Sequence, residues 1–225
     1  MKPSLLKPCL AEFIGTFALI FVGIGAIHNL GSVPGGLLGI ALAHGLTIAV
    51  MVSATGGISG GHLNPAVTFG LLVGGKIDAA RAAAYWIAQL LGGTAAAFLA
   101  GALIAHGDAK SADIIINGTP ALGKDVSIAA GIGIEAVLTF FLVFVVYGSA
   151  VDARAPKIGG LAIGLTVALD ILFGGPLTGG AMNVARWFGP ALAANNWTNA
   201  VVYIVGPLLG GGLAGLIYGR FLIKE

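Results

Sequence analysis

Six long apolar segments constrain the fold of this chain more than any other feature of its sequence. They cover about residues 10–30, 36–55, 83–105, 128–151, 159–175 and 199–219. A helix needs roughly 20 residues to cross a bilayer, and six such segments fit the chain. Only 9% of the residues are charged, against roughly 25% in an ordinary soluble domain. The sequence therefore predicts an all-α membrane protein with six transmembrane helices. The first segment lacks a clear signal-peptide cleavage site, so we expect it to remain as a helix.

The placement of Lys and Arg predicts the orientation of these helices, because cytoplasmic loops carry an excess of both residues. If both termini are cytoplasmic, the outer loop 106–127 holds only Lys110 and Lys124. The inner loops and tails then hold Lys2, Lys7, Lys76, Arg81, Arg154, Lys157, Arg220 and Lys224. We expect this orientation, and the net charge of +2 gives no indication of nucleic-acid binding.

The two halves of the chain repeat each other. The matches are EFIGTF at Glu12 with EAVLTF at Glu135, GLTIA at Gly45 with GLTVA at Gly164, LNPAVTFG at Leu63 with MNVARWFG at Met182, and QLLGG at Gln89 with PLLGG at Pro207. The first residue of each GLT motif lies 19 positions before an asparagine in both halves. With three spans per half, the second copy enters the membrane upside down. We expect one domain over 1–225, built from inverted repeats at about 1–118 and 119–225.

Two shorter apolar segments, about 65–74 and 184–194, cannot cross the membrane. A non-spanning backbone at this depth must be buried in protein or line a water-filled cavity. Asn64 and Asn183 precede these segments, and each side-chain oxygen can cap a half-helix while the amide NH2 stays free as a donor. Pro65 suits the first helical position. Inversion predicts that the two capped ends face each other across the cavity.

The residues that carry these features resemble the aquaporin or major intrinsic protein family. SGGHLNPAVTFG (59–70) and GGAMNVARWFGPAL (179–192), with the paired Glu12 and Glu135, match its signatures, and the likeness extends over essentially the whole chain. The last third is similar to plant tonoplast intrinsic proteins. The resemblance implies an aquaporin-like bundle of six tilted helices and two re-entrant half-helices. It also implies one pore per chain and assembly in the lipid bilayer as a homotetramer.

One departure from the family concerns the second signature, which should read Asn-Pro-Ala. Asn64, Pro65 and Ala66 follow the pattern, whereas the second copy is Asn183, Val184 and Ala185. Losing the proline restores a backbone N–H, which helix geometry tolerates at that position. We expect a conducting pore with a softer second half-helix, although a β-branched Val184 could narrow or reorient the asparagine pair.

The resemblance implies a four-residue outer selectivity filter: His44, Ile171, Gly180 and Arg186. Arg186 would be its cationic gate, because an uncompensated charge is costly inside the membrane and belongs in a hydrated lumen. We expect backbone carbonyls of the loop before Asn183 to hold it. His44 would be neutral and able both to donate and to accept hydrogen bonds. Ile163 occupies the equivalent place in the second half, and we assign it no role in the filter.

The remaining polar residues receive supporting roles. We expect Glu12 and Glu135, as buried structural acids, to accept hydrogen bonds from the loops that lead to the half-helices. His62 would line the inner vestibule. An outer-loop histidine found in some relatives is missing near Thr119, and His106 is a weak candidate to replace it. Asp170 has no assigned place.

Taken with the resemblance, these features predict a passive transmembrane channel for water and small neutral solutes that excludes protons and ions. Ile171 and Gly180 make the filter wide and partly apolar, which favours ammonia as well. A strict water channel and a glycerol or urea facilitator stay open as alternatives, as do a secondary transporter and a non-conducting structural protein. No nucleophile with its base, metal-ligand cluster or phosphate loop is recognisable, so we expect no enzyme activity, cofactor, metal site or nucleic-acid partner.

Overall fold

A computed structural model describes residues 4–107, 109–156 and 158–223 of the chain. The described residues form nine α-helices and no strands. Six helices are long and apolar enough to cross a membrane, two of them together with a π-helical turn at their C-terminal end that extends them to Val151 and Leu222. They are α1 (Leu6–Leu30), α2 (Gly36–Ser59), α4 (Ala79–Ile104), α6 (Ile128–Val146), α7 (Gly159–Thr178) and α9 (Ala200–Leu216). The chain is thus an integral multi-pass membrane protein. Lys2, Lys157 and Lys224 of the charge count lie outside the described residues.

The six predicted spans correspond to these six helices, with boundaries that polar caps adjust. Helix α4 begins four residues earlier than its apolar segment, because Asp78 Oδ1 accepts a hydrogen bond from Arg81 N at 2.9 Å. Ser127 starts α6 in the same way through Ala130 N. Glycines in the left-handed region, Gly60 and Gly179, end α2 and α7. Capping residues of both kinds are typical of helix termini.

The short helices are α3 (Pro65–Val73), α8 (Val184–Ala193) and α5 (Ser111–Gly118). The first two are the predicted half-helices, and at 1.5 Å per residue neither can span a bilayer. Helix α5 was not predicted from the sequence. It lies in the loop between α4 and α6 and buries Ile114 and Ile115 in contact with α1 and α4. Its apolar run is too short to reveal a helical period.

Glycines allow the long helices to touch backbone to backbone. A Cβ on Gly45 would overlap the carbonyl oxygen of Gly164, and a Cβ on Gly164 would overlap that of Gly45, where α2 crosses α7. Gly92 meets Phe13 O in the same way, and Gly210 meets Ala136 O. Small residues at helix crossings let van der Waals contacts drive association in lipid.

At one end of the bundle, α6 and α9 continue as π-helical turns, Tyr147–Val151 and Ile217–Leu222. The rings of Tyr147 and Tyr218 stack there with centroids 5.6 Å apart. Arg154 donates to both Asp152 oxygens and, at 3.0 Å, to Leu222 O. Hydrogen bonds from Arg154 hold the pKa of the Asp152 carboxyl well below its usual range. Arg220 donates to Val73 O at 3.1 Å, so this last turn is also tied to the end of α3.

The crossing of α2 and α7 makes a prediction about stability. Gly45→Ala should lower the melting temperature of the detergent-solubilised protein by several degrees, since overpacking costs about 1–3 kcal/mol. Gly57→Ala is the matched control, because it lies on the same helix and a Cβ there meets no atom within 4 Å. Thermal unfolding followed by circular dichroism measures both. Equal melting temperatures would contradict the close approach.

Candidate functional site

The two half-helices begin at asparagines that cap them in the predicted manner. Asn64 Oδ1 accepts from Ala66 N at 2.8 Å. Asn183 Oδ1 accepts from Ala185 N at 2.9 Å and from Arg186 N at 3.3 Å. Helix α8 forms without the usual proline, because Val184 occupies its first position and the cap satisfies two of the following N–H groups. Both positive dipole ends are therefore directed toward the middle of the bundle.

The amide groups of the two asparagines connect the half-helices to each other. Asn64 Nδ2 donates to Met182 O at 2.8 Å, and Asn183 Nδ2 donates to Leu63 O at 3.0 Å. The expectation that both amides would be wholly free is therefore wrong, because each amide donates one N–H to a carbonyl of the opposite loop. The second N–H of each amide is left for the cavity, which both asparagines line.

The loops before the asparagines have matching backbone conformations. A positive φ occurs four, three and one residues before each asparagine: Gly60, Gly61 and Leu63 in the first loop, Gly179, Gly180 and Met182 in the second. Glycine adopts this region without steric cost, whereas Leu63 and Met182 are strained by about 1–3 kcal/mol each. Surrounding hydrogen bonds must hold both loops in place.

Glu12 supplies these bonds to the first loop. Its carboxylate accepts from His62 N at 2.9 Å, Leu63 N at 2.6 Å and the hydroxyl of Ser59. Gln89 Nε2 adds a fourth bond at 2.8 Å. The side chain is fully buried, so without it these backbone donors would face an apolar interior at a cost of about 1–3 kcal/mol each.

Glu135 does the same for the second loop. It accepts from Ala181 N at 2.9 Å, Met182 N at 2.7 Å and Thr178 Oγ1 at 2.6 Å. Pro207 stands where the first half has Gln89, so the fourth bond has no counterpart. The two buried acids thus accept hydrogen bonds from the loops that lead to the half-helices.

Two tyrosines also hold the loops and were not predicted from the sequence. Tyr85 OH donates to Ser59 O at 2.8 Å, and Tyr203 OH donates to Thr178 O at 2.9 Å. Each lies four residues before the QLLGG or PLLGG match. The repeat spacing contained this signal, because aligning the halves pairs the two tyrosines.

A narrow cavity of about 30 Å³ runs between the half-helix tips. It adjoins a wider mouth of about 260 Å³ lined by Arg186 and Thr119, here called the arginine mouth. At its other end it adjoins a mouth of about 320 Å³ lined by Lys76 and Ala150, here called the lysine mouth. A 30 Å³ passage has room for little more than single water molecules.

The four residues assigned to the filter come together beside the arginine mouth. His44, Ile171, Gly180 and Arg186 all line the narrow cavity, and Ile171 and Arg186 also line the arginine mouth. They are contributed by α2, α7, the second loop and α8. His62 lines the cavity and the lysine mouth. Pro65, Ala66, Val184 and Ala185 form the first turns of the half-helices and are not among the lining residues of these cavities.

Arg186 is held differently from the expectation. Its Nη2 contacts His44 Nε2 at 3.2 Å, while Nε and Nη1 are buried with no hydrogen-bond partner among the described residues. Loop carbonyls therefore do not hold the guanidinium. The carbonyls of Leu63 and Met182 instead accept the asparagine amides, and the arginine side chain reaches α2.

This contact fixes the tautomer of His44. A guanidinium can only donate, so Nε2 accepts and the proton lies on Nδ1, which donates to Ile40 O at 2.8 Å. Both ring nitrogens are used by the protein. The expectation that His44 offers a donor and an acceptor to a passing molecule is therefore wrong, and its polar role is to orient Arg186.

Gly23 on α1 makes room for this histidine and was missed in the sequence. A Cβ on Gly23 would overlap His44 Nε2. His106 is exposed and does not line these cavities, so it does not replace the missing outer-loop histidine. Asp170 is buried on α7 outside the cavity lining, and its Oδ2 has no partner among the described residues.

Spanning helices around a narrow cavity with a mouth at each end define an integral membrane channel. A family model described as major intrinsic protein matches residues 1–218. Aquaporin TIP2-1 of Zea mays is 45% identical over 228 residues, covering 97% of this chain and 88% of the relative. Aquaporin TIP4-1 of Arabidopsis thaliana is 47% identical over 233 residues, covering 100% and 89%.

A solved structure shows the same fold. The X-ray structure of the aquaglyceroporin from Plasmodium falciparum matches with a TM-score of 0.83 at 24% identity, covering 97% of each chain. The chain belongs to the major intrinsic protein family and resembles the plant tonoplast intrinsic aquaporins. It is a passive channel for water and small solutes, and the family's members are channels rather than enzymes.

The position of Gly23 generates a test of the filter. Gly23→Ala should displace His44 and release Arg186, reducing water permeability in proteoliposomes by roughly two- to tenfold through a narrowed passage. Gly25→Ala is the matched control on the same helix, because a Cβ there reaches only Ile104 Cδ1 at 4.0 Å. Stopped-flow light scattering measures the permeability. Equal permeabilities for the two variants would contradict the inference that the space at Gly23 is needed to position His44.

Proposed function

We propose that this channel conducts water and small neutral solutes, including ammonia, and excludes protons and ions. The observation that carries the proposal is the placement of His44, Ile171, Gly180 and Arg186 around the end of a narrow cavity. Ile171 presents an apolar wall and Gly180 no side chain, which lowers the cost of entry for a weakly hydrated molecule.

Arg186 supports both parts of the proposal. Its Nε and Nη1 are donors without a protein partner among the described residues, so a water or other acceptor in the passage can satisfy them. The same fixed positive charge repels cations. The N-termini of α3 and α8 add two positive dipole ends at the middle of the path, where the asparagine amides donate to a passing oxygen.

The departure at Val184 is compatible with conduction. Asn183 keeps its cap and its contact with the opposite loop, and Val184 does not line the narrow cavity.

The proposal also covers the domain organisation, the oligomeric state and the orientation of the channel in the membrane. One domain over 1–225 is built from inverted repeats at about 1–118 and 119–225, and each chain forms its own pore within a homotetramer. The lysine mouth is cytoplasmic, together with both termini, because Lys76, Arg81 and Arg154 lie at that end. The arginine mouth then faces the opposite side of the membrane.

Paired flux measurements test the function. In proteoliposomes, the wild-type chain should accelerate osmotic shrinkage and, under an ammonia gradient, internal alkalinisation, without a proton conductance. Water flux with no pH response would make it a strict water channel. Rapid uptake of glycerol or urea would instead favour the facilitator alternative. Folded protein that conducts none of these would contradict the proposal.

Ile171 provides a sharper test of ammonia selectivity. Ile171→His should lower the ratio of ammonia to water permeability by roughly tenfold, because a polar ring narrows the passage and strengthens the binding of water. Ile171→Val keeps the apolar wall and serves as the control. An unchanged ratio in the Ile171→His variant would show that the side chain at position 171 does not determine ammonia selectivity.

A further inference from the structure

An open pocket of about 390 Å³ lies beside the lysine mouth, where α3 ends and α4 begins. Its lining residues, which define what is here called the rim pocket, are Gly75, Lys76, Ile77, Asp78 and Arg81. Lys76 also lines the lysine mouth. Apart from this lysine, the rim pocket shares no lining residue with the narrow cavity or with either mouth, so it is a separate feature of the molecule.

Three cationic side chains surround the turn between α3 and α4. Lys76 and Arg81 line the rim pocket directly. The guanidinium of Arg220 lies against the same turn, because a Cβ added to Gly75 would be 3.3 Å from Arg220 Nη2. No carboxylate in the described part of the chain forms an ion pair with any of the three. The turn therefore carries a concentration of positive charge that the protein itself does not neutralise.

The one acid in the rim pocket is engaged elsewhere. Asp78 is the N-cap of α4, and its Oδ1 accepts from Arg81 N at 2.9 Å. A carboxylate in this position is stabilised by the positive end of the helix dipole. Asp78 thus balances the helix terminus, whereas the side chains of Lys76 and Arg81 keep their charge for the pocket.

The guanidinium of Arg81 has an unsatisfied donor. Its Nε is buried and has no hydrogen-bond partner among the residues that the structure describes. A buried donor of this kind is an exception in folded proteins, and a bound water or ion is one of its ordinary explanations. A guanidinium presents several donors in one plane and an ammonium presents a compact charge, and together they suit the oxygens of a phosphate group.

We propose that the rim pocket binds a phosphate group with two negative charges, supplied by free phosphate or by the phosphomonoester headgroup of a lipid. A phosphomonoester carries close to two charges at neutral pH. Lys76 and Arg81 would bind its oxygens, with Arg220 adding to the field. The pocket lies at headgroup depth, because α4 enters the membrane there and Ile87, about two turns into that helix, is 62% exposed on the outside of the bundle. The proposal goes beyond the proposed function and does not depend on conduction.

Melting temperatures of the purified full chain in a neutral detergent test the site. A ligand that binds only the folded protein raises the melting temperature. We expect dioctanoyl phosphatidic acid to raise it by several degrees and to bind roughly threefold or more tightly than dioctanoyl phosphatidylglycerol, which has one charge, at constant ionic strength. Stabilisation by inorganic phosphate as well would assign the site to phosphate itself. Stabilisation by phosphatidic acid alone would assign it to a lipid headgroup.

Lys76→Gln is the variant that links the effect to the rim pocket. It should weaken the binding of phosphatidic acid by roughly fivefold, the contribution of one basic residue beside an anionic headgroup. Lys76 is exposed, so the fold should be retained. Arg81→Gln should act in the same direction, and Arg81→Lys should restore part of the affinity. Lys110→Gln is the matched control, because it removes an exposed lysine from the loop at the opposite end of the bundle.

Three results would overturn the proposal. The first is no stabilisation by either phosphatidic acid or inorganic phosphate. The second is equal affinity for phosphatidic acid and phosphatidylglycerol, and the third is equal binding by Lys76→Gln and Lys110→Gln, since diffuse attraction to a basic surface would then account for the effect. Each of these results leaves the proposed conduction unaffected, because flux is measured separately.

Discussion

The structure depends on how a non-helical backbone is satisfied inside a membrane. No solvent is available to pair with the N–H groups of the two loops, and two buried carboxylates accept from them instead. Glu12 and Glu135 each accept from two consecutive backbone N–H groups of a loop and from the hydroxyl of the last residue of the preceding helix. These bonds hold glycine and non-glycine residues at positive φ, and that backbone conformation directs both half-helices toward one point.

The two mouths then differ in chemistry although their backbones correspond. Corresponding helices of the two halves place a histidine and an arginine at one end and an isoleucine and a valine at the other. Gly23 and Val146, which correspond in the repeat, extend this difference to the surrounding helices, since one leaves room for a ring and the other fills the space. A symmetric scaffold thus presents an asymmetric path, and the orientation of Arg186 depends on a contact with His44 that spans two different helices.

Most of the fold could be predicted from the sequence. Length and apolarity identified the six spans, and the repeat with its two asparagines identified the half-helices, because both features are local or periodic. Helix α5 escaped prediction because eight residues with a short isoleucine run carry no helical period. Within the site, the filter positions followed from the resemblance to the family, whereas the partners of Arg186 and His44 did not. Those partners are set by side-chain geometry among distant elements, and one histidine nitrogen cannot be assigned without its neighbours. The Tyr85 and Tyr203 contacts lay within reach of the repeat alignment.

The exchanged amide bonds bear on how the chain is made. Leu63 O accepts from Asn183, and Met182 O accepts from Asn64. Neither loop can therefore make all of its hydrogen bonds while only one half of the chain has been synthesised. The left-handed Leu63 and its neighbours can be fully stabilised only after the ribosome has delivered residues more than a hundred positions downstream. The passage therefore takes its final form only when the second half of the chain has been inserted into the membrane.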